Sequence, residues 1–138
     1  MKTPQTRAFL PRLAGHLLEK ALAQSPVVVV TGARQTGKTT LVQSFDSLAG
    51  HRYLTMDDLD VRDRARRNPA SLLHEAPRLI LDEVQRTPEL LSAVKLAVDS
   101  DHPRVPGRFI LTGSANLLLM HRVSESLAGR ALYVTLRP

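Results

Sequence analysis

An apolar, β-branched run, Val27-Val28-Val29-Val30-Thr31, stops at Gly32; Ala33, Arg34, Gln35 and Thr36 follow, then Gly37, Lys38, Thr39 and Thr40. A helix-compatible segment, Leu41-Val42-Gln43-Ser44-Phe45, comes next. Strand, G-x-x-x-x-G-K-T loop and helix, in that order, form the setting in which this pattern holds phosphate. Gly32 permits the tight turn out of the strand, and Gly37 lets the backbone approach phosphate with no Cβ in the way. Backbone N–H groups at the helix start face the anion, and the helix dipole favours its charge. Lys38 is a flexible cation able to reach the β- and γ-phosphates, and Thr39 places a hydroxyl where Mg²⁺ would sit. A chance match in a turn is the competing explanation, on the order of a percent or less at ordinary residue usage.

A second group lies at Arg78-Leu79-Ile80-Leu81-Asp82-Glu83, a short apolar strand ending in two acids. Asp82 can hold Mg²⁺ through its water shell, because Mg²⁺ takes oxygen ligands and keeps several waters. Glu83 can point to the γ-phosphate side and there orient or deprotonate an attacking water. Without the upstream loop, the same pair would equally suit helix capping or solvation. Ser114, after the strand Arg108–Thr112, is a candidate polar sensor of the γ-phosphate, or an N-cap of the next helix. Thr112 and Asn116 compete for the sensor role. The five histidines lack metal-ligand spacing, and His74-Glu75-Ala76-Pro77-Arg78 is not an H-E-x-x-H site, so they are expected at the surface or in ordinary packing.

The elements that must position these residues alternate. Residues Arg7–Gln24 have leucine and alanine at helical spacing, with Pro11 near the helix start, and should cover a sheet. Strands are expected at Val27–Thr31, Arg52–Met56, Arg78–Glu83, Arg108–Thr112 and Ala131–Leu136. Between them lie a helix from the loop to about Ser47, a charged helix to Arg67, a short helix Ala70–Glu75, one from Pro88 through Val98 and one over Leu117–Ala128, stopped by Gly129. Such alternation predicts an α/β fold, a five-stranded parallel sheet covered on both faces in three layers. Ligands in such sheets sit at the carboxyl ends of strands, so Gly32, Asp82 and Ser114 should meet at one edge.

The chain has 138 residues, a size for one domain, and a net charge of +6. The domain should run over residues 1–138, with 1–25 as a helical segment packed on it. The absence of cysteine excludes disulfides and thiolate metal sites and makes a cytoplasmic setting natural. No apolar run suits a membrane span, and no apolar core follows the first residues as in a signal peptide. Arg62, Arg64, Arg66 and Arg67 interleave with Asp57, Asp58, Asp60 and Asp63, which favours a solvated, salt-bridged helix over a nucleic-acid patch. Sparse aromatics argue against a base-stacking surface.

Together these residues resemble the AAA-type ATPase domain of a large bacterial and archaeal family of P-loop proteins. The resemblance rests on Thr31–Thr40, Leu81-Asp82-Glu83-Val84-Gln85-Arg86, Leu111-Thr112-Gly113-Ser114-Ala115-Asn116 and Ser124-Glu125-Ser126-Leu127-Ala128-Gly129-Arg130. Tyr53-Leu54-Thr55-Met56-Asp57-Asp58 also fits the family's second strand. It implies the P-loop NTPase fold with strand order 5-1-4-3-2, ATP binding and hydrolysis with Mg²⁺. It further implies that Arg130 reaches a neighbour's ATP site in a homo-oligomer, the alternative being a pair with an acid of its own subunit. Family members continue into a lid-like region and a C-terminal domain, so a chain stopping at Pro138 is expected to be a truncated or isolated domain. ATP binding is thereby better supported than turnover, and the client protein is left open.

Four functions therefore compete at the level of sequence: a Mg²⁺-dependent ATPase driving a conformational change, a nucleotide-binding switch with little turnover, a basic nucleic-acid-binding module, and, more weakly, a P-loop kinase. The kinase reading lacks residues for a phosphoryl acceptor other than water.

Overall fold

The computed structural model describes residues 15–32, 48, 50–114 and 117–136. Within them, five strands form one sheet: β1 (Val27–Gly32), β2 (Arg52–Thr55), β3 (Leu79–Asp82), β4 (Phe109–Ser114) and β5 (Ala131–Leu136). Their order is β2-β3-β4-β1-β5, which reads 5-1-4-3-2 from the other edge, and every pairing is parallel. This is the α/β, P-loop NTPase-like architecture expected from the sequence.

Parallel strands buried on both faces require continuous apolar runs. All six residues of β1 are buried, and so are all four of β3. Because alternate side chains point to opposite faces, these runs feed two cores. One contains Val27, Val29, Leu54, Leu79, Leu81, Phe109 and Leu111. The other contains Val28, Val30, Ile80, Ile110 and Val134, covered by Leu18 and Ala21 of α1 (15–24) and by Leu48. Each fully buried aliphatic side chain contributes about 1.5–3 kcal/mol relative to exposure, so α1 is held chiefly by this face. Residues 1–14, the first part of the expected leading helix, lie outside the described residues.

The first core is closed by helices whose ends are written in the sequence. The α2 helix (Leu59–Arg67) starts at Asp58, whose side chain accepts from the N–H groups of Asp60 and Val61 at 2.9 and 3.3 Å. Arg64, Arg66 and Arg67 fall in its last turn, where cations complement the dipole. Asn68 then caps α3 (Pro69–Leu73), accepting from Ser71 N–H at 3.1 Å, and Pro69 occupies the first turn, where its missing N–H costs nothing. Two further helices are α4 (Glu89–Ser100) and α5 (Leu117–Ser126). Gly129, with φ of 75°, supplies the left-handed residue before β5.

Boundaries differ from expectation by one or two residues at most strands. The clear difference is the stretch after β3. Glu83 adopts φ 57°, ψ 46° and opens a 3₁₀ turn, Val84–Arg86, ahead of α4. A left-handed non-glycine residue costs roughly 1–2 kcal/mol, and no periodicity in the sequence signals it. The interleaved charges of α2 form pairs, as the solvated-helix reading expects: Arg64 with Glu75 at 2.5 Å, Arg67 with Asp63, and Asp57 with Arg86 at 2.5 Å.

Candidate nucleotide site at the carboxyl edge of the sheet

Register decides which residues meet. Gly32 pairs with Ser114, and Val30 with Thr112, across β1 and β4. Leu81 pairs with Leu111 across β3 and β4, which sets Asp82 level with Thr112. The strand ends at Gly32, Asp82 and Ser114 therefore lie along one edge, on three neighbouring strands in the order β3-β4-β1. Residues Ala33, Arg34, Gln35, Thr36, Gly37, Lys38, Thr39 and Thr40 of the phosphate loop lie outside the described residues, as does Asn116.

Asp82 is the centre of what is described. It is 3% exposed, yet it carries a carboxylate. Burying such a group is costly unless it is hydrogen-bonded. Two hydroxyls meet the need: Thr112 Oγ1 donates to Oδ1 and Tyr53 Oη donates to Oδ2. Strand alternation explains the convergence. Tyr53 packs beside the Ile80 and Ile110 face, and Asp82 and Thr112 follow those two isoleucines by two residues, hence on the same face. Burial, then the hydrogen bond to Asp82 and its charge, push the Tyr53 phenol well above its ordinary pKa, so it stays a neutral donor. Thr112, one rival for the sensor role, spends its hydroxyl on Asp82.

Glu83 follows directly. Its left-handed backbone turns the chain from the strand into the 3₁₀ turn, and Gln85 Nε2 donates to its Oε2. Strained backbone of this kind recurs at functional sites, where surrounding structure holds it. For the ion, the donors at this edge are oxygens. Among the described residues no group of three or more His, Cys, Asp or Glu side chains gathers. That set fits Mg²⁺, which takes one or two carboxylates and keeps its waters, better than a metal needing an all-protein cage. Asp82 is a described residue whose carboxylate would suit such an ion; Thr39, the other candidate, lies outside the described residues.

Arg130 stands apart from these residues. It precedes β5 at the amino end of the sheet, its carbonyl accepting from Val27 N–H at 3.3 Å and Ser25 Oγ at 2.7 Å. Its guanidinium grips Asp99 with two bonds, Nε to Oδ1 at 2.7 Å and Nη2 to Oδ2 at 2.9 Å. Arg130 therefore lies at the opposite end of the strands from Asp82 of its own chain. Sequence reasoning placed Tyr53 only in a strand and did not link it to Asp82. The signal was present: once β2 neighbours β3, a tyrosine opposite Ile80 shares a face with the acid two residues on. His51, expected in ordinary packing, is half-buried against Gly107, its Nε2 2.7 Å from that carbonyl.

Comparison with known proteins agrees with this arrangement. The chain is 40% identical over 127 residues to uncharacterized proteins of Mycobacterium tuberculosis and Mycobacterium bovis, an alignment covering 91% of the chain. It spans 28% of the length of those relatives. Among solved structures, the Walker-type ATPase PABY2304 of Pyrococcus abyssi superposes with a TM-score of 0.61 at 19% identity, over 93% of this chain and 53% of that one. AMPPCP-bound DnaA from Aquifex aeolicus gives 0.58 at 18% identity, over 91% and 46%. At such identities these two show a shared fold. Residues 24–138 match the AAA domain family, and on that match, together with the P-loop NTPase-like sheet, the chain belongs to the AAA domain family.

Proposed function

We propose that this domain binds ATP with Mg²⁺ at the carboxyl edge of β1, β4 and β3 and hydrolyses it, coupling hydrolysis to a change in a client protein. The observation that carries the reading is Asp82: a buried carboxylate at the end of β3, held by two neutral hydroxyls, with only β4 between it and β1, the strand that leads into the G-x-x-x-x-G-K-T loop. Both carboxylate oxygens of Asp82 keep acceptor capacity beyond these two hydrogen bonds, which a cation or its water shell can use.

Each residue has a distinct task. The loop from Gly32 to Thr40 cradles the phosphates with backbone N–H groups, Lys38 meets the β- and γ-phosphates, and Thr39 and Asp82 hold the ion. Bound Mg²⁺ would supply neutralisation of the charge on the phosphate oxygens. Glu83, at the left-handed residue directly after β3, takes a proton from, or aligns, the attacking water. Ser114, two residues past Thr112 and paired with Gly32, is the nearer to the start of the loop of the two described sensor candidates. Arg130 is paired with Asp99 of its own chain, the alternative weighed for it, so acting on a neighbouring subunit's phosphate in a homo-oligomer would require it to release that acid.

The DNA-binding alternative gains nothing from Arg64, Arg67 and Arg86, which are paired with acids. The test is phosphate release from ATP by the purified chain, with and without Mg²⁺ and with and without DNA. The expected result is Mg²⁺-dependent release insensitive to DNA. ATP binding with no release would overturn the hydrolytic part and leave a nucleotide switch.

A further inference from the structure

We propose that Tyr53 is a positioning residue for the magnesium site: its phenol fixes the orientation of the Asp82 carboxylate, so that metal affinity depends on a side chain from the edge strand β2. The inference deepens the ATP-and-magnesium reading and rests on it.

An ionised carboxylate offers about four acceptor positions over its two oxygens. Thr112 occupies one on Oδ1 and Tyr53 one on Oδ2. Each oxygen keeps acceptor capacity for a ligand, and the two hydroxyls together leave the carboxylate no free rotation. One donor alone would let it pivot. Thr112 stands on central β4 and is fully buried, so its hydroxyl is placed by the sheet. Tyr53 reaches diagonally from its register partner Ile80 to Asp82, two residues further along β3. Its ring is anchored against the core face that also holds Leu18 and Ala21 of α1. Partners that orient a metal's ligands in this way typically govern metal affinity by about 10–100-fold.

The test uses the full chain and ADP, so that no turnover is needed. Calorimetry measures ADP affinity in EDTA and as Mg²⁺ is titrated, for wild type, Tyr53→Phe and Asp82→Asn. Tyr53→Phe should leave affinity in EDTA unchanged and raise the Mg²⁺ requirement by about 10-fold or more. A purely structural tyrosine would instead weaken both conditions together. The second readout is spectroscopic and does not depend on Tyr53→Phe folding. The chain has two tyrosines and no tryptophan, so Tyr133→Phe leaves Tyr53 as the sole near-UV phenol. In that background, Mg²⁺ added to the ADP complex should shift the Tyr53 band, because the ion withdraws electron density from the carboxylate its hydroxyl touches.

If Asp82→Asn raises the Mg²⁺ requirement but Tyr53→Phe does not, the role of Tyr53 is refuted while the magnesium reading stands. The same holds if the Tyr53 band stays still when the ion binds. An Asp82→Asn chain with wild-type Mg²⁺ dependence would sink the magnesium reading and this inference with it.

Discussion

At the amino end of the sheet, Arg130 closes on Asp99 through bonds of 2.7 and 2.9 Å, and Arg108 closes on Asp101 at 2.6 Å. At the carboxyl end, Asp82 is held by two hydroxyls, and no cation among the described residues pairs with it. The acids at the amino end lie near the C-terminus of α4, where a negative charge opposes the dipole, and the arginines offset that. Each such pair satisfies itself. Asp99 is held below the usual carboxylate range, first by its hydrogen bond from Arg130. At the carboxyl end, the donors that Asp82 meets among the described residues are neutral hydroxyls. The contrast fits the proposed ligand site at the carboxyl end: among the described residues its acid meets neutral donors alone, whereas the acids at the amino end already meet arginines of the same chain.

The largest effect that could break this contrast concerns Arg130. If it serves a neighbouring site, Arg130→Ala should lower turnover by about 10³–10⁵-fold, the range of an arginine supplied in trans. Mixed with Lys38→Ala chains, it should regain part of the activity, because some interfaces pair an intact loop with an intact arginine. Co-assembled mixtures that stay inactive, or normal hydrolysis by Arg130→Ala alone, would make the amino end wholly structural.

Next in size is Glu83→Gln. The amide is nearly isosteric but cannot take a proton, so turnover should fall by about 10²–10⁴-fold while ATP affinity holds. Phosphate release at the wild-type rate would move the water-activating role away from the left-handed residue.

The smallest effect sharpens the amino end. His51 sits there with its pKa lowered, chiefly by burial and also by the nearby Arg78 charge, against the opposing bond to Gly107. The unfolded chain thus binds the proton more readily than the folded one, and stability rises with pH across this window. Thermal unfolding should occur at a lower temperature as pH falls through 6.5 toward the folded-state value, and His51→Gln should flatten that slope. An unchanged slope in His51→Gln would assign the pH dependence to other groups.

The sheet was legible because its signals are collective. Val27–Val30 and Leu79–Leu81 are apolar on both faces, as buried parallel strands must be, and Asn68-Pro69 marks a helix boundary by chain chemistry alone. The strand order followed from the family resemblance, since nothing in the residues of β2 states that β3 is its neighbour. Asp82 and Glu83 were legible as acids at a strand end. The bond from Tyr53 was not, because it joins residues 29 positions apart and depends on a register that only the folded sheet sets. Nor was the pairing of Arg130 with Asp99, 31 positions away, which depends on how α4 ends beside β5.

The central claim is that the carboxyl edge binds Mg-ATP through the phosphate loop. Isothermal titration of Mg-ATP into wild type and Lys38→Ala tests it most directly, with unfolding followed in parallel to confirm that both chains are folded. The account predicts tight binding by wild type and loss of it in Lys38→Ala, because the loop then lacks its mobile cation at the β- and γ-phosphates. Equal affinity in two folded chains would contradict it.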